Sequence, residues 1–152
     1  MDDVKRILVV SRSTKHCQKA VHYGISLSQG YGADLYVLHL IYDPFGIEGW
    51  NLPMLHMQSV REEYKKIQQD AKSVLDKIIN AERARGLIIK EFVKVGKPVD
   101  EILMVIEEEK IDLAIMLAHK EGRLEHFLFS RDHEEILRKM PCSILFVKQE
   151  IP

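Results

Sequence analysis

Residues 116–131, MLAHKEGRLEHFLFSR, leave an apolar run and enter a charged segment, followed by a helix-like stretch from about Asp132 to Lys139. In a parallel α/β protein such a strand-to-helix passage is a natural phosphate cradle. Cradles of this kind are usually rich in glycine, so that backbone N–H groups can approach the ligand closely. Here Gly122 stands alone among Lys120, Glu121, Arg123 and Glu125. Side chains could do the same work: Arg12, Lys120, Arg123, Arg131 and His119 could converge on one crevice, with Ser13 and Thr14 donating hydroxyl hydrogen bonds to an anion such as a phosphate ester. Glu121, Glu125 and Asp132 are interleaved with them, which supports the plainer reading of internal ion pairs on a solvated surface. Asp132 and Glu135 also have the Asp-x-x-Glu spacing of a helix cap. A carboxylate there occupies the N–H groups that a phosphate would need.

Metal and nucleophile chemistry have weaker signals. His126 and His133 are seven residues apart, which on one helix separates them by about 10 Å, too far to share a zinc ion. His16 and His22 point to different faces, and His39, in an apolar strand, reads as a buried, hydrogen-bonded histidine. The chain has no HxxxH, HxH or CxxC pattern, so no metal site is expected. No Gly-x-Ser-x-Gly elbow is present either. Cys17 and Cys142 read as small packed hydrophobes, with a redox role as the alternative. No catalytic residue is assigned.

The elements that must position these groups alternate regularly. Ile7 to Val10, Leu35 to Ile41, Ile88 to Val95, Ile111 to Leu117 and Ser143 to Val147 read as strands, because they are apolar runs of strand length. Apolar residues at helical spacing mark Lys15–Gln29, and the Ser11–Thr14 hydroxyls before them are suited to N-capping; Gly30 and Gly32 stop that pattern. Met57 to Arg85 is a long amphipathic helix with Val60, Tyr64, Ile67, Ala71, Val74, Leu75 and Ile78 on one face. Pro98 opens a helix that runs to about Lys110. Continuous apolar strands alternating with helices imply a buried parallel sheet, so the chain is one open, doubly wound α/β domain over 1–152. Ligands of such sheets sit beyond the carboxyl ends of the strands where the strand order reverses. That directs attention to Ser11–Thr14 and Ala118–Arg131.

Composition narrows the classes. The chain has 152 residues, 46% hydrophobic and 30% charged, with a net charge of −1. That is the size and make-up of a single globular domain, with no global attraction to nucleic acid or an anionic membrane. Two distant cysteines suit a reducing compartment. The opening MDDVKRILVV has the wrong charge order for a secretory signal and too short an apolar run to span a bilayer. A cytoplasmic location is expected.

Three segments, ILVVSRSTKHCQKAVHYGISLSQGYGADLYVLHL, VKVGKPVDEILMVIEEEKIDLAIML and HEEILRKMPCSILFVK, together resemble single-domain universal stress proteins across essentially the whole chain. The resemblance implies a five-stranded parallel sheet in the order 3-2-1-4-5. One branch of that family binds ATP through Gly-x2-Gly-x9-Gly-(Ser/Thr) after strand four. Laid on this chain, the four signature positions fall on Leu117, Lys120, Ser130 and Arg131, and none matches. The family's nucleoside-contacting Asp at the end of strand one corresponds to Arg12, a reversal of charge. The resemblance thus implies a stress-response module outside the ATP-motif branch, with no cofactor and no catalysis. The alternative is an ATP- or AMP-binding module, with slow hydrolysis, whose contacts are rebuilt from Arg12, Lys120 and Arg131.

Two surfaces are candidate partner sites. The family's strand order puts strand five at the sheet edge, so Cys142, Ile144, Leu145, Phe146 and Val147 are expected to form a homodimer interface. Residues 44–57, PFGIEGWNLPMLHM, hold seven large apolar residues including the sole tryptophan, Trp50. They read either as a flap packed on its own domain or as a surface for a protein partner.

Overall fold

In the computed structural model, residues 3–11, 17–41, 54–118 and 134–148 are described, with the side chains of 54–61 and 64 left aside. The described elements are β1 (Arg6–Ser11), α1 (Gln18–Tyr31), β2 (Asp34–Ile41), α2 (Met54–Ala84), β3 (Ile89–Val95), α3 (Pro98–Glu109), β4 (Leu113–Leu117), a helical segment over 134–139 (α4) and β5 (Ser143–Val147). The five strands form one sheet in the order β3-β2-β1-β4-β5, and every pairing is parallel. The expected order and alternation are therefore those observed.

Strand chemistry explains the layering. Alternate residues of a strand face opposite sides, so Ile7, Val9, Leu35, Val37 and Ile89 meet Val21 and Ile25 of α1 and Leu75 and Ile79 of α2. On the other side Leu8, Val10, Leu38 and Met116 meet Val99, Ile102 and Ile106 of α3 and Ile136 of α4. Burying each such Leu, Ile or Val stabilises the fold by about 1.5–3 kcal/mol before conformational entropy is counted.

Several boundaries differ from the sequence reading, each for a local reason. Cys17, in helical conformation, stands at the N-cap of α1 and makes no side-chain capping hydrogen bond, whereas residues 12–14 lie outside the described residues. The helix runs through Gly30 and closes at Gly32, whose φ of 66° is left-handed and whose N–H bonds the Ser28 carbonyl. The core stripe of α2 is Gln68, Ala71, Leu75 and Ile79, whereas Ile67 and Val74 are exposed. β4 begins at Leu113, two residues late, because the Asp112 carboxylate accepts hydrogen bonds from the Lys5 and Arg6 N–H groups at 2.9 Å each. β3 is not a continuous apolar run: as an edge strand it carries Lys90, Glu91 and Lys94 and leaves Val93 and Val95 exposed.

Candidate functional site

The order β3-β2-β1-β4-β5 reverses between β1 and β4, whose registered pairs include Leu8 with Ala114 and Val9 with Ile115. The segments leaving their carboxyl ends therefore begin side by side, which creates the crevice where doubly wound sheets take ligands. Its described walls are Ser11, fully buried at the end of β1, and Leu117, buried at the end of β4. Leu117 pairs with Val147 of β5, and the next N–H, that of Ala118, donates to the Val147 carbonyl at 2.7 Å. Nearby, the Lys19 ammonium donates to the Lys148 carbonyl at 2.7 Å, tying the start of α1 to the end of β5. Arg12, Ser13, Thr14, Lys120, Ser130 and Arg131 lie outside the described residues, as does the loop part of 44–57.

The last strand stands at the sheet edge, as expected from the resemblance. Ile144, Leu145 and Phe146 are half-buried and Val147 is buried within the single chain. Ile144 and Phe146 lean on the α3 side, whereas Leu145 and Val147 lean on the α1 side. Burial pushes the half-buried Cys142 thiol up from its ordinary value, a hydrogen bond with the Ala114 backbone works the other way, and the Asp112 charge adds to the rise.

A second polar constellation was not assembled by the sequence reading. His39 of β2 is 0% exposed and its Nε2 lies 3.0 Å from Glu91 Oε1 of β3. This bears out the expectation of a buried, hydrogen-bonded histidine. The Arg83 guanidinium of α2 donates to Glu91 Oε2 at 2.9 Å and to the Ile89 carbonyl at 2.7 Å. Burial alone would raise the Glu91 carboxyl, but hydrogen bonds from His39 and Arg83, with their charges, outweigh it and hold it below its usual value. Asp76 of α2, bound by Lys72 at 3.0 Å, completes the group. The signal in sequence was charge in β3, where Glu91 stands between Lys90 and Lys94 in a strand that also holds Ile89, Phe92, Val93 and Val95.

The fold is an open, doubly wound α/β domain whose strand order reverses between β1 and β4, the position at which sheets of this kind generally take ligands. The family model described as "Universal stress protein family" matches residues 3–148. The chain belongs to the universal stress protein family. It is similar to universal stress protein MJ0577 of Methanocaldococcus jannaschii, with 27% identity over 105 residues, 69% of this chain and 64% of that relative. The matched part thus spans just under two thirds of that relative's length. Among solved structures, the universal stress protein UspA from Lactobacillus plantarum superposes with a TM-score of 0.68 at 18% identity, covering 94% of this chain and 97% of that one. A universal stress protein in complex with cAMP gives a TM-score of 0.67 at 17% identity, covering 97% and 99% respectively. Identities this low speak for the fold alone. No helix among the described residues is long and apolar enough to cross a membrane.

Proposed function

We propose that this member of the universal stress protein family is a non-catalytic, dimeric binding or signalling module that does not hold ATP through the family's glycine motif. The observation that carries this reading is Leu117. A phosphate loop needs bare backbone in close approach, yet the first signature position holds a buried leucine. The following N–H is already committed to Val147, so it does not point at a ligand. The dimer proposal rests on β5: a largely apolar strand at the sheet edge invites antiparallel pairing with its own copy. Two free cysteines support a reducing, cytoplasmic setting. The segment 44–57 is the proposed contact for a protein partner, on its composition alone.

The relative in complex with cAMP favours a second reading, in which ATP or AMP is held by side chains of Arg12, Lys120 and Arg131. One experiment separates the two. Mass spectrometry of undialysed protein checks for a co-purified nucleotide, and titration with ATP–magnesium, AMP and cAMP follows. A ligand present at a hundred times its Kd would stabilise the fold by about 2.7 kcal/mol. The first reading expects no co-purified nucleotide and no thermal shift at millimolar ligand. Saturable micromolar binding would replace it with the second.

A further inference from the structure

We infer that His39, Asp76 and Glu91 form a binding site for a first-row divalent transition ion, with zinc as the fitting representative. One ring nitrogen of His39 and one carboxylate oxygen each of Asp76 and Glu91 lie within 4.8 Å of one another. Three elements supply them. His39 registers with Val93 in the parallel pair, which puts Glu91 two residues back on the same face of the sheet. The core stripe of α2 packs over this face and brings Asp76 down beside them.

The donor set chooses the ion class. An imidazole with two carboxylates is a borderline nitrogen–oxygen set that suits zinc and its neighbours. Calcium and magnesium seek six or more oxygens or retain their waters. With bonds near 2.0–2.1 Å, tetrahedral zinc ligands stand about 3.4 Å apart. Closing from the observed spacing asks for shifts on the order of 1 Å, and the two carboxylates are only partly buried, which leaves them room to move.

Two further features point to a ligand. His39 is fully buried, and its Nε2, which faces Glu91 Oε1 at 3.0 Å, is the ring nitrogen that would bind the ion. An outer partner also orients the Glu91 carboxylate, as in metal sites. Arg83 binds Glu91 through Oε2 and leaves Oε1 turned toward His39, and it is itself anchored on the Ile89 carbonyl.

Lys72 is the competitor. Its ammonium sits on both Asp76 oxygens, at 3.2 and 3.0 Å, where an ion would need one of them. It also lines a cavity of about 320 Å³ with Ile41, Lys65, Gln68 and Gln69, so it has open space to swing into. Metal binding therefore competes with the two-oxygen Lys72–Asp76 contact, and the lysine lowers the affinity.

The test is calorimetric titration of EDTA-stripped protein with zinc chloride, repeated with cobalt chloride while visible absorption is followed. Circular dichroism checks that each variant is folded. The wild type should take up one ion per chain. Asp76→Asn, on a partly exposed helix face, should weaken uptake by about tenfold or more, and His39→Gln likewise. Lys72→Ala should bind more tightly than wild type, which a purely structural ion-pair network would not do. Absence of saturable one-to-one uptake by the wild type overturns the site. So does uptake that survives Asp76→Asn unchanged, or a Lys72→Ala variant that binds no better.

Discussion

Replacing Gly24 with alanine should destabilise the protein, although alanine is the better helix former. Gly24 is buried in the middle of α1, where the helix lies directly on β1. A Cβ at this position would overlap the Val9 Cγ2 methyl and stand 3.2 Å from Leu35 Cδ1, whereas carbon atoms in contact prefer about 3.5–4.0 Å. Val9 cannot yield: it is fully buried in the central strand, flanked by Val37 and Ile115, and its χ1 is stiff. Alanine gains about 0.8–1.0 kcal/mol of helix propensity. Overpacking a tight core costs about 1–3 kcal/mol, and an outright overlap belongs at the upper end. The net loss is about 1–2 kcal/mol, which for a domain of this length lowers Tm by roughly 2–8 °C. Thermal and urea unfolding of Gly24→Ala would measure it. The double variant Val9→Ala/Gly24→Ala should lose less than the sum of its singles, because the two changes share one space. A Gly24→Ala protein with unchanged or raised Tm would refute the reasoning.

The assembly is tested with Ile144→Lys, which should shift a native dimer toward monomer by light scattering. Its Tm is measured in parallel, because Ile144 also leans on its own core. A native monomer at tens of micromolar would remove the interface, and an intact mutant dimer would move it off β5. Cys142 should react slowly with Ellman's reagent at neutral pH, since a thiol pushed up by burial holds little thiolate there, and its rate should climb as pH passes through the raised value. A fast neutral-pH phase would instead make it a redox-sensor candidate. If residues 44–57 form a partner surface, Trp50 should emit to the red and be quenched readily by iodide; blue, protected emission would count against that surface.

Much of the architecture was legible in the residues themselves. Apolar runs of strand length, separated by amphipathic stretches, admit little except a parallel sheet covered by helices. The four mismatches at Leu117, Lys120, Ser130 and Arg131 were equally plain, because three missing glycines and a missing Ser/Thr are visible without coordinates. Tertiary structure decided what depends on neighbours. It showed that Leu117 is buried and that the adjoining N–H is already bonded to β5, neither of which the motif comparison could give. The core stripe of α2 also settled on Gln68, Ala71, Leu75 and Ile79, since side-chain spacing gives an amphipathic face but not its rotation against the sheet. Metal-ligand spacing along the chain found nothing at His39, because its partners stand 37 and 52 residues away in sequence. Only parallel register and the helix laid across it bring His39, Asp76 and Glu91 together. Local patterns determine which elements form, whereas a site built from three elements exists only after they pack.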